Sequence, residues 1–150
     1  MKVLIVDEST VAYGNISLLV ERLGIEVVGN ATTEREIEST IARHQPELVL
    51  IDTRCSYLQG PDTIRKIKRL NPGTNVVAIS VFEDQQDVKQ IFESGISDII
   101  TKPIESERLI DSLRRLGLLQ EHSSKSLNES VNVEETVEEA ASVTEEKETV

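Results

Sequence analysis

The chain has few of the residues that form covalent or membrane-spanning structure. Cys55 is the only cysteine among 150 residues, which excludes an internal disulfide and a zinc site of several cysteines. No apolar run approaches the roughly 20 residues of a transmembrane helix. The apolar start of the chain is interrupted by Asp7 too early for a signal peptide. We therefore expect a cytoplasmic protein with no membrane partner.

Aromatic residues are also scarce, at 3% of the chain with no tryptophan, so the core must be built from Val, Ile and Leu. Acidic residues are in excess. Residues 1–117 contain 18 acidic and 14 basic side chains, and residues 118–150 contain 9 and 2, which together give the net charge of −11. This balance argues against direct DNA binding, which needs a basic surface. We predict one domain over residues 1–117 and an acidic, disordered tail over residues 118–150.

Five short apolar runs alternate with segments of helical periodicity. The runs are Val3–Val6, Ile25–Val28, Leu48–Ile51, Val76–Ile79 and Ile99–Ile100. The first, third and fourth lack polar alternation, which is typical of parallel strands buried on both faces. Helical stripes lie between and after them, within residues 12–23, 33–41, 61–70, 88–92 and 109–116. This alternation predicts an α/β fold with a doubly wound, five-stranded parallel sheet and helices on both faces.

Polar residues follow four of these runs directly. They are Asp7 and Glu8 after the first run, Asp52 after the third, Ser80 after the fourth, and Thr101 and Lys102 after the fifth. In an open α/β sheet, ligands bind beyond the carboxyl ends of the strands. Each residue alone has an ordinary explanation, such as a helix cap, a strand end or a surface lysine. Their coincidence at one edge favours a site.

Neighbouring carboxylates at this edge would repel each other. Two unit charges 4 Å apart cost about 4 kcal/mol at an effective dielectric of 20. The cluster is therefore expected to hold a proton or to bind a divalent cation, and Mg²⁺ suits carboxylate and phosphate oxygens. Asp52 is then a plausible nucleophile toward a phosphoryl group, with Lys102 and Ser80 placed to contact its oxygens.

With these spacings, residues 2–117 resemble the receiver domain of two-component response regulators, of the stand-alone, chemotaxis-regulator-like type. The matching elements are Asp7-Glu8, Asp52, Gly60, Ser80, Gly95-Ile96-Ser97-Asp98 and Thr101-Lys102-Pro103. The resemblance implies a flavodoxin-like (βα)₅ fold. It also implies a phosphorelay switch that is not an enzyme, apart from Mg²⁺-dependent self-phosphorylation and dephosphorylation.

The resemblance further implies specific roles. Asp52 would accept a phosphoryl group from a histidine kinase or phosphotransfer protein. Mg²⁺ would be bound by Asp7, Glu8, Asp52 and the backbone carbonyl of Arg54. Ser80 and Lys102 would hold phosphoryl oxygens, and the bond from Lys102 to the following proline would be cis. The signal would pass to a downstream protein by protein–protein contacts.

Three positions depart from the family pattern. Ser56 stands where a proline is usual, Val81 where a small residue is usual, and Ile99 where an aromatic residue is common. We expect Val81 to narrow access to Asp52. Because position 99 carries isoleucine and not an aromatic residue, we expect phosphorylation at the site to be weakly coupled to the face formed by the fourth helix, fifth strand and fifth helix.

Other functional classes remain open from the sequence. A receiver-like interaction module could act without phosphorylation, although Asp52 and Lys102 argue against it. A phosphatase with an aspartate nucleophile would need a second acid where Arg54 stands. A flavin-binding protein would place phosphate beside Asp7 and Glu8, which would repel it.

Overall fold

The computed structural model describes residues 1–81 and 84–120, and it contains each strand and helix that the sequence predicts. The strands are β1 (Lys2–Val6), β2 (Glu26–Asn30), β3 (Leu48–Ile51), β4 (Asn75–Ser80) and β5 (Asp98–Thr101). The helices are α1 (Thr10–Arg22), α2 (Glu34–His44), α3 (Gly60–Leu70), α4 (Gln85–Glu93) and α5 (Ser106–Arg115). Across these described ranges, no helix is long and apolar enough to cross a membrane.

All five strands pair in parallel, in the order β2-β1-β3-β4-β5. The α/β prediction of a doubly wound, five-stranded parallel sheet is therefore confirmed. The chain moves outward from β1 to β2, then returns past β1 to β3, so the direction of winding reverses between β1 and β3. A crevice forms at such a reversal, outside the carboxyl ends of the two strands. Asp7 and Asp52 directly follow these two strands.

The sheet separates two aliphatic cores, as the scarcity of aromatic residues predicted. One face of the sheet packs against α2, α3 and α4, through buried residues that include Ile37, Ile41, Ile64, Ile67 and Ile91. The other face packs against α1 and α5, through Ile16, Val20, Leu109 and Leu113. The central strands are buried on both faces because alternate side chains enter opposite cores.

Local side-chain caps fix where several helices begin. The Ser9 hydroxyl accepts a hydrogen bond from the Ala12 amide at the start of α1. At the start of α2, the Thr33 hydroxyl accepts from the Glu36 amide, and the Glu36 carboxylate accepts from the Thr32 amide, in a variant of the capping box. These caps satisfy N–H groups that have no partner within the helix.

The folded chain continues past Gly117, where the sequence predicted the domain to end. Gly117 has a φ of 72° after α5, and the Leu118 amide donates to the Leu113 carbonyl at 2.8 Å, as in a Schellman motif. Leu118 and Leu119 then pack against the core beneath α1 and α5. The predicted acidic tail falls mostly on residues 121–150, which lie outside the described residues.

Truncation tests how much the end of the chain contributes to stability. Removal of residues 121–150 is expected to leave the free energy of unfolding unchanged, because the sequence there offers little apolar surface to bury. Removal of residues 118–150 is expected to lower the free energy of unfolding by about 1–2 kcal/mol, because two partly buried leucines are lost. Urea denaturation followed by circular dichroism measures both, and equal stability of the two truncated proteins would contradict this view of Leu118 and Leu119.

Two glycines offer a matched test of backbone conformation. A Cβ added at either Gly14 or Gly24 meets no atom within 4 Å, but Gly24 has a φ of 79° whereas Gly14 lies inside α1 without a positive φ. Gly14→Ala is therefore expected to stabilise the fold by about 0.5–1 kcal/mol. Gly24→Ala is expected to destabilise it by about 1–2 kcal/mol. Urea denaturation of both variants measures these changes, and changes of the same sign would show that φ does not decide the outcome.

Candidate functional site

Asp7, Asp52 and Lys102 meet at the reversal point of the sheet. The Lys102 Nζ lies 2.8 Å from Asp7 Oδ2 and 2.6 Å from Asp52 Oδ2. Backbone hydrogen bonds fix the approach, because the Asp52 amide donates to the Val6 carbonyl and the Lys102 amide donates to the Ser80 carbonyl. These bonds extend the ladders by one residue beyond β3 and β5, onto the last residues of β1 and β4. One ammonium group therefore balances part of the charge of two carboxylates.

Burial and hydrogen bonding act in opposite directions on the two charged partners. Burial alone would raise the pKa of Asp52, but hydrogen bonds from Lys102, the Arg54 amide and Ser80 outweigh it, so the pKa lies below its ordinary value. Burial alone would lower the pKa of Lys102, yet hydrogen bonds to Asp52 and Asp7 raise it above its ordinary value. At neutral pH the pair is ionised, which keeps Asp52 in the nucleophilic form.

The second oxygen of Asp52 is held by uncharged donors. The Ser80 hydroxyl donates to Asp52 Oδ1 at 2.8 Å, and the Arg54 amide donates to the same oxygen at 2.9 Å. Ser80 is fully buried at the end of β4. Its Oγ is also 2.9 Å from both the amide nitrogen and the hydroxyl oxygen of Thr53. The Asp52 carboxylate is therefore oriented through both of its oxygens.

Glu8 is not turned toward this centre. Its carboxylate accepts hydrogen bonds from the Ser56 amide at 3.2 Å and from the Ser56 hydroxyl at 3.0 Å. Asp7, in contrast, is only 2% exposed, and its Oδ1 accepts from the Ser9 amide. Successive residues after a strand point in different directions, which separates the two acids. Within residues 1–81 and 84–120, no three His, Cys, Asp or Glu side chains form a group that could hold a metal ion.

The donor set nevertheless fits a hard divalent cation. Asp7 and Asp52 present carboxylate oxygens to one common point, where they share the Lys102 ammonium. Carboxylate oxygens with room for water are the ligands that Mg²⁺ prefers. Glu8 is adjacent to Asp7 in the chain and would have to leave Ser56 to join them. The Arg54 amide donates a hydrogen bond to Asp52. That the Arg54 carbonyl binds the metal stays a prediction.

Cys55 is close to the acidic site but its thiol is not activated as a nucleophile. Its side chain is buried in the core beneath α2, α3 and α4, as expected for a small apolar residue. Burial raises the pKa of the Cys55 thiol to about 11, with the nearby acids adding to that effect. The thiol therefore stays protonated at neutral pH, and protonated thiols are poor nucleophiles.

The structure brings together four of the predicted residues, Asp7, Asp52, Ser80 and Lys102, and confirms the cis peptide bond between Lys102 and Pro103. Sequence reasoning missed Thr53 and the bonding of Ser56. The signal for Thr53 that the sequence did contain was a hydroxyl-bearing residue directly after Asp52.

Val81 is half exposed and, with Lys102, lines a groove of about 650 Å³ between α1 and the loop before α5.

Comparisons with known proteins agree with this geometry. The family model of the response regulator receiver domain matches residues 3–114. The chemotaxis protein CheY of Thermotoga maritima is 27% identical over 116 residues, which is 77% of this chain and 97% of the relative. The transcriptional regulatory protein YesN of Bacillus subtilis, described as uncharacterized, is 23% identical over 117 residues, covering 77% of this chain but 32% of YesN.

Solved structures share the fold. A crystal structure of a response regulator from Burkholderia pseudomallei, containing a phosphorylated aspartic acid and a calcium ion, superposes with a TM-score of 0.67 at 20% identity. The match covers 86% of this chain and 72% of that one. The strand order confirms the flavodoxin-like fold. Since the family model covers most of its length, this chain belongs to the response regulator receiver family, whose members are signalling domains of two-component systems.

Proposed function

We propose that this chain is a phospho-accepting switch in which Asp52 receives a phosphoryl group. The observation that carries the proposal is the state of Asp52, an ionised carboxylate held by the Lys102 ammonium on one oxygen and by two neutral donors on the other. A carboxylate in this state can attack phosphorus, because it keeps its negative charge and its position is fixed.

The transfer is a displacement at phosphorus. One oxygen of Asp52 forms a bond to phosphorus while the bond from phosphorus to the donor breaks, and that electron pair leaves with the donor group. The donor is a phosphohistidine on a histidine kinase or phosphotransfer protein, or a small acyl phosphate. Lys102 and Ser80 then offer an ammonium and a hydroxyl to the oxygens of the new acyl phosphate. Hydrolysis by water releases inorganic phosphate and restores Asp52.

Mg²⁺ completes the proposed site. The residues that would hold it are Asp7, Glu8, Asp52 and the backbone carbonyl of Arg54. When bound, the ion supplies positive charge that offsets the charge of the transferring oxygens. A response regulator of the same fold from Burkholderia pseudomallei contains a phosphorylated aspartic acid and a calcium ion, which supports a divalent cation in this proposal.

The output proposed for this domain is a change in protein–protein contacts. No direct contact with DNA and no contact with a membrane is part of the proposal, and the cytoplasmic location stays a prediction from the sequence. The partners are the phosphodonor protein and a downstream protein that distinguishes the two states of Asp52. A receiver-like module that is never phosphorylated is the alternative that the following test addresses.

Phosphorylation is tested with acetyl phosphate and Mg²⁺, followed by intact-mass measurement. The native protein is expected to gain one phosphoryl group, and Asp52→Asn is expected to gain none because its amide is not a nucleophile. Asp62→Asn is the control, since Asp62 is an exposed acid of α3 paired with Arg65, and it should be labelled like the native protein. Equal labelling of Asp52→Asn would refute the assignment, and an unlabelled native protein would favour the module that is never phosphorylated.

The Ser56 contact predicts a lower Mg²⁺ affinity than the acids alone would give. The cation competes with two hydrogen bonds for the Glu8 oxygens. Ser56→Ala removes the hydroxyl donor, and the affinity for Mg²⁺ is expected to rise about three- to tenfold, the equivalent of one ordinary hydrogen bond at an exposed site. Titration followed by amide chemical shifts measures it.

A serine elsewhere provides the control for this titration. Ser39→Ala removes a hydroxyl that bonds within its own helix, to the Glu36 carbonyl, and should leave the affinity for Mg²⁺ unchanged. Unchanged or weaker Mg²⁺ binding in Ser56→Ala would mean that Glu8 does not need to leave Ser56.

A further inference from the structure

The Ser80 hydroxyl has a complete set of hydrogen-bond partners before any phosphoryl group is present. Its Oγ is 2.8 Å from Asp52 Oδ1, 2.9 Å from the Thr53 amide nitrogen and 2.9 Å from the Thr53 Oγ1. A hydroxyl group can donate one hydrogen bond and accept two. These three contacts therefore use the whole capacity of the Ser80 hydroxyl, and the residue is fully buried.

The direction of each bond follows from counting protons. Ionised Asp52 can only accept, so the single proton of Ser80 lies toward Asp52 Oδ1. The Thr53 amide can only donate, so it occupies one lone pair of Ser80 Oγ. The Thr53 hydroxyl must then donate to the second lone pair, because Ser80 has no proton left to give. Two donors from one residue thus fix the orientation of the Ser80 hydroxyl.

Ser80 needs such a support because its side chain is short and unbranched. A serine hydroxyl has three staggered positions around its first torsion, and no second group on Cβ restricts the choice. Two of these positions would carry the hydroxyl away from Asp52. The neighbouring Thr53 is held by the chain next to Asp52, and it is itself branched at Cβ, so its hydroxyl is a stiff donor.

We propose that Thr53 is a positioning residue, which holds the Ser80 hydroxyl on Asp52 so that its proton meets the incoming phosphoryl group. The inference rests on the proposed function of Asp52. When Asp52 carries a phosphoryl group, the Ser80 hydroxyl keeps its proton and redirects its donated hydrogen bond from Oδ1 to a nearby phosphoryl oxygen, while both Thr53 bonds remain. The donor is thereby oriented before the reaction, and little reorganisation is needed during it.

The test compares Thr53→Val with Thr53→Ser. Valine keeps the branched shape and the backbone amide but removes the hydroxyl donor, whereas serine keeps the donor. We expect Thr53→Val to weaken the Mg²⁺-dependent binding of beryllium fluoride about three- to tenfold, as measured by amide chemical shifts. We expect the same variant to be labelled by acetyl phosphate about three- to tenfold more slowly. Thr53→Ser is expected to stay within about twofold of the native protein, since it retains the hydrogen bond.

A double-mutant cycle with Ser80→Ala separates positioning from general packing. If Thr53 acts through Ser80, then Thr53→Val in the Ser80→Ala background causes no further loss of beryllium fluoride affinity. If Thr53 only supports the fold, the losses add. Circular dichroism confirms that each variant is folded. Should Thr53→Val not fold, the same cycle is run with Thr53→Ala.

The outcomes separate this inference from the proposed function. If the native protein is neither labelled nor bound by beryllium fluoride, the proposed function fails and the role of Thr53 fails with it. If the native protein is labelled while Thr53→Val equals it, only the role of Thr53 is overturned. Additive losses in the cycle, or a Thr53→Ser protein as impaired as Thr53→Val, overturn it in the same way.

Discussion

Two carboxylates at the ends of adjacent parallel strands require a cation, and this requirement governs the site. Asp7 and Asp52 are brought together by the strand order, because β1 and β3 are neighbours and both acids directly follow their strands. In a buried setting their repulsion is weakly screened. The Lys102 ammonium, placed by the end of β5, supplies the compensating charge from the far side of β4. Fold and site are therefore coupled through one ion pair network.

The sequence predicted the positions of these residues well, because strand ends are marked by a change from apolar to polar residues. The run Leu48–Ile51 stops at Asp52, and in a parallel sheet that stop must lie at the same edge as the end of β1. The point at which packing against the core stops after α5 was harder to predict. Gly117 marks the end of α5, but the packing of Leu118 and Leu119 on the core depends on contacts with residues distant in the chain, which periodicity does not describe.

The direction of side chains was the other feature that the sequence could not predict. The sequence places Glu8 beside Asp7 and so suggests three acids at one point, yet the structure turns Glu8 toward Ser56. That contact joins residues 48 positions apart, and it depends on the path of the loop after β3. The contact between Thr53 and Ser80 was hidden for a similar reason. Its partner Ser80 is 27 positions away, and only the pairing of β3 with β4 makes them neighbours.

The ion pair also links the state of the site to the completeness of the fold. Lys102 is separated from Asp7 by 95 positions and from Asp52 by 50, so its contacts close long loops. Contacts between distant positions carry a larger entropic cost of closure. A nascent or partly folded chain that has not yet docked β5 thus carries two uncompensated acids. The compensated charge of Asp52 then becomes a mark of completed folding, because this carboxylate acquires its Lys102 partner only when the last strand is in place.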